Sequence, residues 1–426
     1  MMSTYRLLTL LLFIAFYSCD SKKVTDIKDY QAFLIQNEDN SVAKEDIIFW
    51  TNKLEKAPNE YLYMVKRANA NTNLFSATGK IDYLIDAEKD LVNANTLTNY
   101  NTSGCLKALA HNYISQHRFK EALNLLKKAE VLGEKLRGTQ KMLFDVNLEL
   151  GNITEAEEYL NKIKNFSDFD YLIRLSKWED HNGNLDGAIT YMERATKISE
   201  SSNTKSLKQW SYTNLADFYG HAGKIDLSYH YYIKALELNP NDAYAKKGIA
   251  WIVYSYEKNP EAALTLLNHI TSYYNAPDYN LFKAEIAEFI GNEELKQNAY
   301  KTYMSESKNR LYGNMYNKYN ALLYAEDMLQ PERAIEIAMQ EVKNRPTAQS
   351  YDLLAWSYFK NGNLEEANTI VDKHISGKTS EPDVLYHMAE IYKAIGKTDK
   401  VSPLKEELLA SIYELGPTME EKILKL

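Results

Sequence analysis

"NLADFYGHAGKIDLSYHYYIKALELNP", residues 214–240, is the stretch whose reading decides the fold. Tyr229, His230, Tyr231 and Tyr232 stand in a row inside it, which is equally the look of an active site and of packing. Recurrence separates the two, because an architectural unit repeats and a catalytic centre does not. Segments starting at 103, 137, 169, 209, 243, 277, 315, 348 and 382 align with this one, mostly 32–34 residues apart, with one step of 40 and one of 38. Their eighth residue is Ala110, Phe144, Ser176, Ala216, Ala250, Ala284, Leu322, Ala355 and Ala389; their twentieth is Ala122, Ala156, Ala188, Ser228, Ala262, Lys296, Ala334, Ala367 and Val401. Small side chains at both places let two antiparallel helices approach closely.

The fifteenth residue is Gly151, Gly183, Gly223, Gly291, Gly362 and Gly396 in six of the nine segments. A glycine there takes the left-handed conformation that ends a helix. Asn or Lys usually follows, as in "GNITEAEEYL", "GNLDGAITYM" and "GNLEEANTIV", and apolar residues then resume at helical spacing. Pro240 and Pro346 stop the second helix. The unit is helix, tight turn, helix, turn, and the fold class is an all-α solenoid. The unit at 243 carries one extra residue near "EKNPEAAL", and Lys296 breaks the pattern in the unit at 277.

Bulk properties agree. The 426 residues are 45% hydrophobic and 25% charged, with 16 Gly and 9 Pro, which suits a globular helical chain. The formal charge is −8 and no Lys/Arg block occurs, so the basic footprint of a nucleic-acid binder is missing. The 33 Tyr fit bundle packing, where a ring is buried and its hydroxyl stays wet.

At the N-terminus, "LLTLLLFIAF" is a ten-residue apolar run, of signal-peptide length and too short to span a bilayer. It leads into "YSCDSKK", which resembles a bacterial lipoprotein signal (1–18) with Cys19 as the lipidated residue. Phe16 and Tyr17 are bulkier than the usual residues before that Cys, and an ordinary secretory signal cleaved nearby is the rival reading. Either implies export to the cell envelope; lipidation points to an outer-membrane lipoprotein. Residues 19–40 read as a tether with some helix, 41–102 as diverged helical hairpins turning at Gly79, 103–402 as the nine repeats, and 403–426 as capping helices over the open end. Cys105, left alone once Cys19 is lipidated, reads as a small buried apolar residue.

The repeats resemble the tetratricopeptide repeat (TPR) family. The fit rests on Leu215, Ala216, Tyr219, Ser228, Tyr232, Ala235 and Pro240, then on Leu109, Ala110, Tyr113, Ala122, Leu126 and Ala129, and on Leu354, Ala355, Tyr358, Gly362 and Ala367. The resemblance implies a right-handed superhelix whose concave face is lined by the first helix of each repeat. The anchor and the Tyr/Asn/Lys-rich repeats are similar to TPR lipoproteins of Bacteroidetes.

Motifs for catalysis are missing: no phosphate loop, no GxSxG elbow, no HExxH and no paired Cys/His zinc spacing. The chain is therefore not expected to be an enzyme, and no cofactor is expected. The best metal-like set is His181 and His221, at the thirteenth position of adjacent units, with Asp180 and Asp217 nearby; two His favoured by helix C-termini explain it more simply. The family pattern instead puts Lys107, His111, Lys141, Asp145, Asp217, Tyr244, Lys247, Trp251, Tyr254, Tyr316, Tyr319, Trp356, Phe359 and Tyr386 on or beside the groove. Aromatics at such places mark either a contact surface or a superhelix tight enough to bury them against its own next turn. Lys247 beside Trp251 suits an acidic peptide, but Asp217 stands where the family's carboxylate clamp has Asn, so no clamp is assigned. The expected function is a membrane-anchored scaffold that binds a protein or peptide along the groove. The alternative is a carbohydrate-binding surface lipoprotein with a SusD-like role, using groove aromatics for a glycan; the lack of long insertions between repeats argues against it.

Overall fold

The computed structural model describes residues 23–35 and 41–426. Within them all regular structure is helical. The first helices of the nine segments start at Ser103, Leu136, Phe169, Lys205, Ala243, Asp278, Asn317, Ala348 and Pro382. Each packs against its successor as an antiparallel hairpin. The predicted small residues are the hinge of that packing: Ala110, Ala216, Ala250, Ala284, Ala355 and Ala389 are fully buried on first helices, and Ala122, Ala156, Ala188, Ser228, Ala334 and Ala367 on second helices. Upstream, Tyr61–Thr78 and Ile81–Leu97 form a further hairpin around Gly79, preceded by the single helix Ser41–Lys56.

The turn between paired helices is left-handed in all nine units, with or without glycine. The six glycines have φ between 67° and 82°, and His117, Lys258 and Leu329 supply 58°, 55° and 51° in the other three units. Lys258 is the sixteenth residue of its segment because the extra residue is absorbed just before it. Ile252–Tyr256 is a π-helical turn, in which Glu257 N donates to Ile252 O five residues back. One inserted residue in an α-helix makes such a bulge. The register downstream moves by one, so the buried small residue is Ala263 and not Ala262. The 40-residue step is no inserted loop either: the surplus lengthens Leu185–Ser201 and Lys205–His221 to 17 residues each.

Successive turns of the superhelix touch. Lys120 Nζ donates to Lys343 O at 2.6 Å, Arg345 Nη1 meets Glu149 Oε2 at 3.4 Å, and Asn275 N donates to Thr78 O at 2.7 Å. The contacts of Lys120 and Arg345 span 223 and 196 residues, close to six repeats. Gly79 sits at one such seam, where an added Cβ would lie 2.3 Å from Asn275 O. Residues Arg310–Tyr312, inside the 38-residue step, place Tyr312 against Ile81 and Leu84.

Residues 23–35 and the C-terminal segment both fold back on the middle of the array. Residues 23–35 are docked rather than loose: Val24 N and Thr25 N donate to Glu257 Oε1 at 2.8 and 2.6 Å, Tyr229 OH donates to Asp26 O at 3.1 Å, and Tyr30 is buried. At the other end Thr398–Ala410 runs through the expected boundary at 403 with Pro403 inside it. Glu420–Leu424 covers that helix, but Ile412–Leu415 turns inward. Cys19 and the signal segment lie outside the described residues.

Candidate functional site: the inner groove

The early groove charges pair across neighbouring first helices. Lys141 Nζ reaches Asp170 Oδ2 at 2.5 Å and Asp168 Oδ2 at 3.2 Å; Arg174 Nη2 reaches Asp145 Oδ2 at 2.6 Å; Lys177 Nζ reaches Glu149 Oε1 at 2.8 Å. This ladder ties Leu136–Glu149 to Phe169–His181. Lys107 stays half-buried, its pKa lowered by burial and by Lys135, and His111 is exposed.

Further along, Lys205–His221, Ala243–Trp251 and Pro382–Ala394 enclose a cavity of about 300 Å³. Its wall includes Asp217, His221, Tyr244, Lys247, Trp251, Glu381, Asp383 and, from the C-terminal segment, Tyr413 and Glu414. Tyr244 OH donates to Asp217 Oδ2 at 2.7 Å and Tyr232 OH to the other carboxylate oxygen. Burial raises the Asp217 pKa against those two phenols. Lys247 lies 3.6 Å from Asp278. His221 Nδ1 meets Glu414 Oε2 at 2.5 Å; burial opposes its charge, but the bond to Glu414 with the charges of Glu414, Asp217 and Asp180 lifts its pKa to about 9. Asp217 and His221 share a helix face, as their spacing requires, yet turn to different partners. Among the described residues no group of three His, Cys, Asp or Glu is arranged to hold a metal ion.

The aromatics divide. Tyr254 is fully buried in the central core, and the π turn that carries it explains why: the added residue rotates it off the groove face and against Phe282 and Phe289. Trp356 is 2% exposed, stacked on His387 at 4.0 Å, with its Nε1 donating to Glu326 Oε1 at 2.6 Å. Neither is a groove-lining side chain. Trp251 is half-buried, and its Nε1 donates to Tyr413 O at 2.9 Å. Tyr244 and Tyr319 keep 52% and 36% exposure and remain on the surface of the groove. A saccharide would therefore find neither tryptophan free. Cys105 is buried, 3% exposed.

Ser255, Tyr413, Glu414, Glu381 and Asp383 complete the site and escape a reading of the sequence. Tyr413 meets Trp251 and Ser255 across 162 and 158 residues, and no local pattern records a contact made by superhelical closure.

Residues 211–242 match the family model of the tetratricopeptide repeat. The fold is a tetratricopeptide-repeat solenoid. No curated protein matches the chain. Among solved structures, a tetratricopeptide repeat protein from Parabacteroides merdae is 15% identical, with TM-score 0.34 over 60% of this chain and 96% of that one. YrrB, described as a TPR protein with an unusual peptide-binding site, is 19% identical, with TM-score 0.28 over 46% and 95% of the two chains. Human IFIT1, solved as a dimer with PPP-AAAA, is 18% identical, with TM-score 0.38 over 74% and 77%.

Proposed function

We propose that this TPR chain is a non-catalytic scaffold, exported and held at the envelope membrane through Cys19, that takes a protein or peptide partner in its inner groove. The observation that supports it is the cavity at Asp217, Tyr244, Lys247 and Asp383, where three first helices bring together charged and half-exposed aromatic groups. The exposed Tyr244 ring and the half-buried Lys247 give such a surface an aromatic face and a cation for an incoming chain. No helix among the described residues is long and apolar enough to cross a membrane, so attachment in this reading falls to lipid.

Two measurements test it. In fractionated cells Cys19→Ser should move the protein from membranes to the soluble fraction; retention on membranes refutes the anchor. After in vivo crosslinking, Lys247→Glu should lose the captured partner, while Val131→Glu, on an outer helix at 88% exposure, should keep it. Equal capture by both variants refutes the groove.

A further inference from the structure

The segment Ser411–Gly416 lies in the groove as a bound peptide would. A cap serving only the open end of the array would stay on Thr398–Ala410, as Glu420–Leu424 does. Ile412–Leu415 instead leaves that end and reaches the inner faces of Lys205–His221, Pro382–Ala394 and the π turn Ile252–Tyr256.

Three kinds of recognition hold it. Trp251 Nε1 and Ser255 Oγ converge on one backbone acceptor, Tyr413 O, at 2.9 and 2.7 Å. Glu414 pairs with His221 at 2.5 Å. Gly220 admits the Tyr413 ring, since a Cβ there would lie 3.1 Å from Tyr413 Cε1. The backbone then turns out at Gly416, φ 82°, against the Trp251 ring. The carbonyl contacts are indifferent to sequence, whereas the acidic and aromatic contacts select it. Only Leu415 and Gly416 of the six residues are buried; Ser411 to Glu414 remain half-exposed. The groove continues past the segment into the cavity at Asp217, Tyr244 and Lys247.

We propose that Ser411–Gly416 is a built-in occupant of the groove, seated in cis and displaced by a partner peptide that presents an aromatic residue, an acidic residue and an aliphatic residue in succession. This rests on the peptide-groove reading above. A tethered occupant acts at an effective concentration in the millimolar range, so it masks the groove against weak or mismatched peptides and yields to a longer one that also fills the adjoining cavity.

The test uses the full chain and a fluorescein-labelled synthetic peptide, SIYELGPT, with the sequence of residues 411–418. By fluorescence anisotropy the variant Tyr413→Ala/Glu414→Ala should bind this peptide at least tenfold more tightly than the unmodified chain. Adding Trp251→Phe, which removes the N–H donor, should cancel the gain. Equal affinity of variant and unmodified chain overturns the proposal. Independently of any variant, amides of 412–416 in the unmodified chain should exchange with deuterium at least a hundredfold faster than those of Pro382–Ala394. Equal protection makes the segment permanent core and also overturns it. If the variant gains no affinity while Lys247→Glu still abolishes partner capture, the occupant falls and the scaffold reading stands; if partner capture is indifferent to Lys247, the groove itself falls.

Discussion

At the scale of single residues, the turn between paired helices is the most demanding position of each unit. The backbone there is left-handed in all nine, and L-residues other than glycine resist that conformation by roughly 1–2 kcal/mol. Leu329 accepts it at 79% exposure, so its side chain offers little burial in return. Leu329→Gly should stabilise the fold by about 0.5–1 kcal/mol in urea unfolding, the loss of backbone restraint in the unfolded chain offsetting part of the relief. The six glycines were readable because each marks this conformation by its chemistry. The three substitutes were not, since nothing about His117, Lys258 or Leu329 announces a positive φ. The groove shows the same limit. Lys247 and Tyr244 line the cavity, but Trp356, at the position that Trp251 holds in its own segment, sinks into a stack with His387, which only the neighbouring repeat decides.

At the scale of elements, the π turn Ile252–Tyr256 does two things with one extra residue. It carries Tyr254 into the core, and it leaves Trp251 and Ser255 aimed at a common acceptor. Deleting Val253 should convert the bulge into a plain α-helical turn, leave the helix beyond it in place and change the angle between Trp251 and Ser255, so that the two no longer converge on Tyr413 O. The expected result is at least tenfold faster deuterium exchange of the 412–416 amides, with the hairpins before residue 200 unchanged. Unaltered exchange at 412–416 would show that the π turn does not position Ser255. The extra residue was visible as a break in repeat spacing. Its form was not, because an insertion is equally compatible with a loop until the packing on both sides is known.

At the scale of the whole molecule, the folded-back C-terminal segment helps to bury a titratable group, Glu285, beside Gly416. Burial chiefly, with the charges of Asp383 and Glu288 adding to it and the Tyr254 hydroxyl opposing, pushes the Glu285 carboxyl up to about 8. In the unfolded chain its pKa is near the ordinary value of 4.5. The folded state therefore holds a proton that the unfolded state releases, and stability that is complete below pH 4.5 is lost as pH rises through about 8. Glu285→Gln should flatten this slope and exceed the parent by about 2 kcal/mol at pH 9, less than the whole displacement implies because the residue keeps some solvent contact. Thermal melts at pH 5 and pH 9 decide it; parallel losses in parent and variant would place the pH sensitivity elsewhere. The repeat array was legible from nine recurrences of small residues and turns. Its closure was not, because contacts spanning 196 and 223 residues arise from the pitch accumulated over six units and from no one of them.

The docked N-terminal segment changes how force enters the protein. An open solenoid pulled from its first residue extends like a spring, shedding hairpins from the pulled end inward. Here Val24 and Thr25 are bolted to Glu257, and Tyr229 to Asp26, so a pull at the N-terminus is delivered first to the central hairpins. Helices 41–97 hang outside the line of tension until that bolt shears.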